Sequence, residues 1–250
     1  RTGGFLQLVP RVSGRGKGHD EKRTRQPMNR RVQRLRDRIQ ELEFESILIS
    51  SSDNRRYLSG FAGSAGYLLI SAEEAVLATD FRYVEQAGRQ APDFRIQRIG
   101  GDLDWFPTLA ADLGVRRVAF EGQEMTVSSH QALEKAIERV EGSDRLKLVS
   151  TNDLVDRLRA VKDEEEIGLL TRAVEIADQA IDTVAPTMEP GVTEAEVAWE
   201  LEKAMREAGA ESLAFDIIAG TGPNGALPHH RAGDQAIGAG DSVVIDMGAR

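Results

Sequence analysis

Across residues 28–150 short apolar runs alternate with amphipathic helical patterns, and a chain written that way is confined to a sheet flanked by helices. Val32, Leu35, Ile39 and Leu42 recur at three- and four-residue spacing, with Arg and Glu on the opposite face, which predicts a helix. "SILIS" follows as a short buried strand and "SSDN" as a turn. "YLLI" and "AVLAT", separated by "SAEE", predict a hairpin. A helix over "YVEQAGRQ", a strand over "FRIQRI", a strand at "RVAFEG", a serine-capped helix over "SSHQALEKAIERV" and a strand at "LKLVS" complete an α/β domain over residues 28–155.

The pattern changes near residue 155. "DRLRAVKDEEEIGLLTRAVEIADQAIDTVAPTM" reads as one long helical pattern, with Asp163 and Glu166 spaced as a capping box. Ile167, Leu170, Val174, Ala177 and Ile181 form its expected apolar stripe. Thr193 and Glu196 make a second capping box, and Gly209 stands where that next helix should stop. "FDIIAG" then reads as a strand, "TGPNG" as a loop and "SVVIDMG" as a strand. Two helices followed by strands begin a second, α+β domain over residues 156–250.

Composition sets limits on the chemistry. There is no cysteine, so disulfides and thiolate metal sites are excluded and a reducing, cytoplasmic setting is expected. No apolar run approaches the ~18 residues of a membrane helix, so no membrane partner is expected. Of the net charge of -9, residues 1–27 contribute seven Lys/Arg against two Asp/Glu. The remainder is strongly acidic and unsuited to nucleic acid. The basic, glycine-rich stretch 1–27 is expected to be a disordered or non-native leader, and its His19 is given no role.

No P-loop, G-x-S-x-G elbow or H-E-x-x-H pair occurs. "GFAGSAG", from Gly60 to Gly66, lacks the Lys-Ser/Thr of a phosphate cradle and reads as a loop shaped by glycine. What remains is the closing stretch "NGALPHHRAGDQAIGAGDSVVIDMGAR". Asp246 follows the apolar "VVI", and Gly248 lets the chain turn. From these residues alone a turn cap and a metal ligand stand level for Asp246. His229 lies in a Gly/Pro/Asn-rich loop, where imidazole can serve a substrate or simply be solvated.

Taken together, "FDIIAGTGPNGALPHHRAGDQAIGAGDSVVIDMGAR" resembles the start of the catalytic centre in the Xaa-Pro aminopeptidase and prolidase family of pita-bread metallopeptidases. "NRRYLSGFAGSAGYLLI" and "TDFRYVEQA" resemble the creatinase-type N-terminal domain of the same family, and "VKDEEEIGLLTRAVEIADQAI" is like its interdomain helix. The resemblance runs from Met28 to Arg250. It implies an α/β creatinase-like domain followed by the first part of an α+β pita-bread domain.

By that resemblance, Asp246 falls on the first of five ligands (Asp, Asp, His, Glu, Glu) that hold two divalent metal ions, Mn²⁺ foremost, with Co²⁺ or Zn²⁺ as alternatives. His229 falls on a catalytic, substrate-binding histidine near the scissile carbonyl, and His230 matches no functional position. Asn54 and Arg56 match a loop that reaches the substrate site of a neighbouring subunit in some relatives. The implied activity is metal-dependent release of an N-terminal residue ahead of proline, through a metal-activated water and a stabilised oxyanion. The implied partners are a peptide with proline in second position and further copies of the chain, as a homodimer or larger homo-oligomer. The other four ligands have no counterpart before Arg250. The 250-residue chain is therefore expected to be truncated, inactive and metal-free by itself, with uncovered apolar faces in its second half. A prolidase, a creatinase-like hydrolase and a non-catalytic pita-bread binding module are the alternative readings.

Overall fold

The structure, a computed structural model, describes residues 29–140 and 146–250. The basic segment 1–27 and its His19 lie outside the described residues. The described chain divides into two compact units, the first ending at Arg159 and the second running from Ala160 to Arg250. The division falls several residues after the change of sequence pattern near residue 155.

The first unit runs α1 (Arg30–Glu41), β1 (Ser46–Ile49), α2 (Ser52–Ser59), β2 (Tyr67–Ser71), β3 (Ala75–Thr79), α3 (Val84–Gln90), β4 (Arg95–Arg98), α4 (Trp105–Asp112), β5 (Arg117–Glu121), α5 (Val127–Arg139), β6 (Lys147–Thr151) and α6 (Leu154–Ala160). The six strands form one sheet in the order β4-β3-β2-β1-β5-β6. The β2–β3 hairpin is antiparallel, and β2 also runs antiparallel to β1. β1–β5, β5–β6 and β3–β4 are parallel. Successive strand residues point to opposite faces. Ile47, Ile49, Leu68, Ile70 and Leu77 accordingly pack with Val32, Leu35 and Ile39 of α1, Leu58 of α2, and Val155 and Leu158 of α6. Leu48, Leu69, Val76, Val118 and Phe120 face the other way, onto Phe106 and Leu109 of α4 and Leu133 of α5. Both faces of the sheet are thus covered, as near-continuous apolar strands require.

Three local expectations are corrected here. "SSDN" enters a helix instead of forming a turn. α2 begins at Ser52, its cap Ser51 makes no side-chain bond, and the free N–H groups of Ser50 and Ser51 are met instead by the distant carboxylate of Glu121. The cap of α5 is Thr126, whose Oγ1 accepts from the Ser129 N–H, in place of a serine. The long helical pattern after residue 155 is two helices: α6 ends at Ala160, and Asp163 caps the next. α6 buries Val155 and Leu158 in the first unit's core, and the second unit opens with α7 (Glu164–Val184).

In the second unit α7 packs on α8 (Glu194–Glu207), followed by an antiparallel pair, β7 (Ile218–Thr221) and β8 (Val243–Asp246). Both capping boxes form as the spacing predicts. Gly209 follows the end of α8 at φ +105°, the left-handed stop that glycine supplies. The expected stripe of α7 holds at Ile181, which packs against the core, and is corrected over its first half by a rotation around the helix. Ile176, Ala180 and Val184 are buried against Val197, Leu201 and Met205 of α8, whereas Ile167, Leu170 and Val174 are about half exposed or more.

Candidate active site

The β7–β8 hairpin places the closing motif. Val243 and Ile245 pack toward the core of the second unit, while Val244 and Asp246 point the other way and are exposed. The strand is therefore half-buried. Asp246 stands opposite Ile218 at the strand's end. Its carboxylate has no hydrogen-bond or ion-pair partner among the described residues, so it caps no turn here. Between the strands, residues 222–226 form a short 3-10 turn over the outward face of the hairpin. A Cβ on Gly225 would lie 3.0 Å from Val244 Cγ2, and one on Gly220 would lie 2.9 Å from the Asn224 carbonyl oxygen. The loop that carries His229 thus starts over the same hairpin face that displays Asp246.

His229 is exposed, and its imidazole has no partner among the described residues. Its neighbour His230 is turned inward. His230 Nε2 lies 2.7 Å from Glu194 Oε2, on a glutamate that is 1% exposed at the first position of α8. An ionised carboxylate can only accept, so His230 is held with its proton on Nε2. The same carboxylate accepts from the Thr221 N–H at 2.8 Å, the Asn224 side-chain amide at 2.9 Å and the Gly233 N–H at 3.3 Å. Burial pushes the Glu194 pKa up, but the four donors outweigh it and bring the group from 4.5 down to about 2. The far end of the loop is pinned by a backbone ladder. Glu194 N–H donates to Gln235 O, Ala195 N–H to Gly233 O and Ile237 N–H to Val192 O.

Two candidates from the first unit separate sharply. Asn54 is buried, its amide nitrogen donating to Glu121 Oε1 at 2.8 Å and its oxygen accepting from Arg159 at 2.9 Å. Arg56, two residues on, is exposed. Between them Arg55 is buried and donates to the carbonyls of Gly63 and Gly66, stapling the glycine loop that follows α2. Glu194 and Glu121 are the residues that sequence reasoning missed. Glu194 sits inside the Thr193–Glu196 capping box and reads there as one more acidic first-turn residue.

The match to known families decides what these residues belong to. Residues 31–161 match the creatinase/prolidase N-terminal domain, and residues 168–250 match metallopeptidase family M24. The chain belongs to the creatinase/prolidase metallopeptidase family. It is 39% identical over 88% of its length to the uncharacterized peptidase YqhT of Bacillus subtilis, and 30% identical over 89% to an Xaa-Pro dipeptidase of Pyrococcus horikoshii. An Xaa-Pro dipeptidase from Bacillus anthracis superposes with a TM-score of 0.82 at 38% identity, over 88% of this chain and 60% of that one. An X-Pro aminopeptidase from Thermotoga maritima superposes at 0.76 and 35% identity, over 85% of this chain and 61% of that one. The chain spans about 60% of the length of the curated relatives it matches. Its first unit is the creatinase-like domain and its second corresponds to part of a pita-bread domain.

The family's divalent metals can be tested against the residues present. Among the described residues, no three His, Asp or Glu side chains gather closely enough to hold a metal ion. Asp246 offers one exposed, unpartnered carboxylate, which suits a single ligand position and does not make a site by itself. No helix among the described residues is long and apolar enough to cross a membrane.

Proposed function

We propose that the whole protein is a metal-dependent peptidase releasing the N-terminal residue ahead of proline, with Asp246 as a metal ligand and His229 as a substrate-binding, catalytic histidine. The observation that carries this reading is the free, outward carboxylate of Asp246 at the end of β8. A carboxylate that caps nothing and pairs with nothing remains available to a cation. The relatives named as Xaa-Pro dipeptidase and X-Pro aminopeptidase support the substrate class.

Bound divalent metal in such a site supplies Lewis acidity and an activated water, and Mn²⁺ is the first ion to try. His229 has an unengaged imidazole on an exposed loop, so one ring N–H can donate to the scissile carbonyl oxygen as negative charge develops there. Pro228, immediately before it, restricts the backbone that presents the ring. Of the two N-terminal candidates, exposed Arg56 is retained as a substrate-side contact. Asn54, with its amide engaged by Glu121 and Arg159, is assigned a supporting role.

The test is turnover of Xaa-Pro dipeptides and Xaa-Pro-Yaa tripeptides by the whole protein, with Mn²⁺ and after chelation. Metal-dependent release from the tripeptide supports the aminopeptidase reading, and release from the dipeptide alone assigns the prolidase alternative. Unchanged turnover after chelation points to the creatinase-like alternative and overturns the metal reading.

A further inference from the structure

We infer that Glu194 and His230 form a positioning clamp that sets where His229 is presented. This deepens the proposed function and rests on it for the role of His229, although the clamp is visible without it. The backbone bonds inside the loop from Thr221 to Gly233, Leu227 N–H to Asn224 O and His230 N–H to Leu227 O, close local turns and do not draw its two ends together. Instead one buried carboxylate gathers a donor from the start of the loop (Thr221 N–H), one from the 3-10 turn (the Asn224 amide), one from the middle (His230 Nε2) and one from the end (Gly233 N–H). All four reach a single side chain on the first turn of α8, whose cap is fixed by the Thr193–Glu196 box.

The bond to His230 matters most for His229. His229 sits in a tight turn closed by the His230 N–H donating to Leu227 O at 3.1 Å, so the two imidazoles leave the chain on either side of that bond's end. With His230 drawn inward to a glutamate that is 1% exposed, its side chain 14% exposed, His229 is left facing solvent. No hydrogen bond or ion pair holds the His229 ring among the described residues, so its placement depends on the backbone that His230 anchors. A misplacement of about 1 Å at a reacting group can cost on the order of 100-fold in rate. Asn224 and His230 thereby acquire a use distinct from loop shape or surface variation.

Three substitutions test this in the whole protein: His230→Ala, His230→Gln, whose amide can still donate to Glu194, and His229→Ala. Backbone hydrogen exchange is read at Thr221 and Gly233, with Leu201 in α8 as an internal control, and kcat and KM are read on an Xaa-Pro peptide. His230→Ala should speed exchange at Thr221 and Gly233 about tenfold, leave Leu201 protected, and lower kcat/KM by roughly tenfold or more. His230→Gln should recover most of both. Unchanged exchange in His230→Ala overturns the clamp. Faster exchange with unaltered kcat/KM, or with no recovery in His230→Gln, overturns its link to His229. If His229→Ala keeps full turnover, the assignment of His229 fails, and the exchange data alone then decide the clamp.

Discussion

Glu194 is the side chain whose charge the second unit can least spare. Its folded pKa of about 2 lies below the ordinary 4.5. The stabilisation is therefore present in full above about pH 4.5 and drains away as pH falls toward about 2. A fall of that size is worth on the order of 3 kcal/mol. The urea midpoint of the second unit, followed through Trp199 in a Trp105→Phe background, should drop steeply over that window. Glu194→Gln should flatten the slope, and equal slopes would contradict the assignment. In the first unit, Asn54→Ala removes the buried donor to Glu121 Oε1 and one acceptor of Arg159, and should cost about 1–3 kcal/mol of stability by urea denaturation. Arg56→Ala, on an exposed side chain, should stay within about 0.5 kcal/mol. The sequence paired these two residues by their place in a motif. Only the packing shows that one faces inward. Asp246 and His229 could be singled out in the sequence because each stands in a run whose spacing is distinctive, and their roles are those proposed above. Glu194 was not, because the partners that define it lie 27 to 39 residues away.

At the scale of elements, what could be read in advance was whatever is decided by near neighbours in the chain. The β2–β3 hairpin, both capping boxes and the stop at Gly209 are of this kind. The start of α2 is not, since the N–H groups of Ser50 and Ser51, just before its first residue, are met by Glu121 from strand β5. The first half of the α7 stripe, Ile167, Leu170 and Val174, failed for a related reason. Periodicity shows that a row is apolar, but the partner helix chooses which row it covers, and α8 covers Ile176, Ala180 and Val184. Two substitutions probe element ends. Thr193→Ala removes the acceptor for the Glu196 N–H and should cost about 1 kcal/mol. Gly60 closes α2 at φ +79°, and a Cβ there would meet the Gln90 carbonyl oxygen at 2.9 Å. Gly60→Ala should therefore cost about 2 kcal/mol or more, measured as a loss of thermal stability in the first unit.

For the molecule as a whole, each unit carries its own core. The first has a six-stranded sheet covered on both faces, whereas the second has one core cluster over a two-stranded sheet. Calorimetry of the 250-residue chain should resolve two transitions, the lower one from the second unit. A single cooperative transition would contradict that division. The order of domains could be read from the alternation of strands and helices and from its break near residue 155. Where α6 belongs could not, because its allegiance is set by Val155 and Leu158 entering a core whose other members run from Val32 to Ala119. The assignment of the whole protein turns on Asp246. Metal content and Mn²⁺-dependent release of the residue ahead of proline should be measured side by side in the wild type and in Asp246→Asn. The variant should keep its fold, since the carboxylate has no partner to lose. Its metal affinity should fall by more than the roughly 10–100-fold typical of groups that merely orient a ligand, and turnover should fall with it. Wild-type metal content and turnover in Asp246→Asn would contradict the assignment.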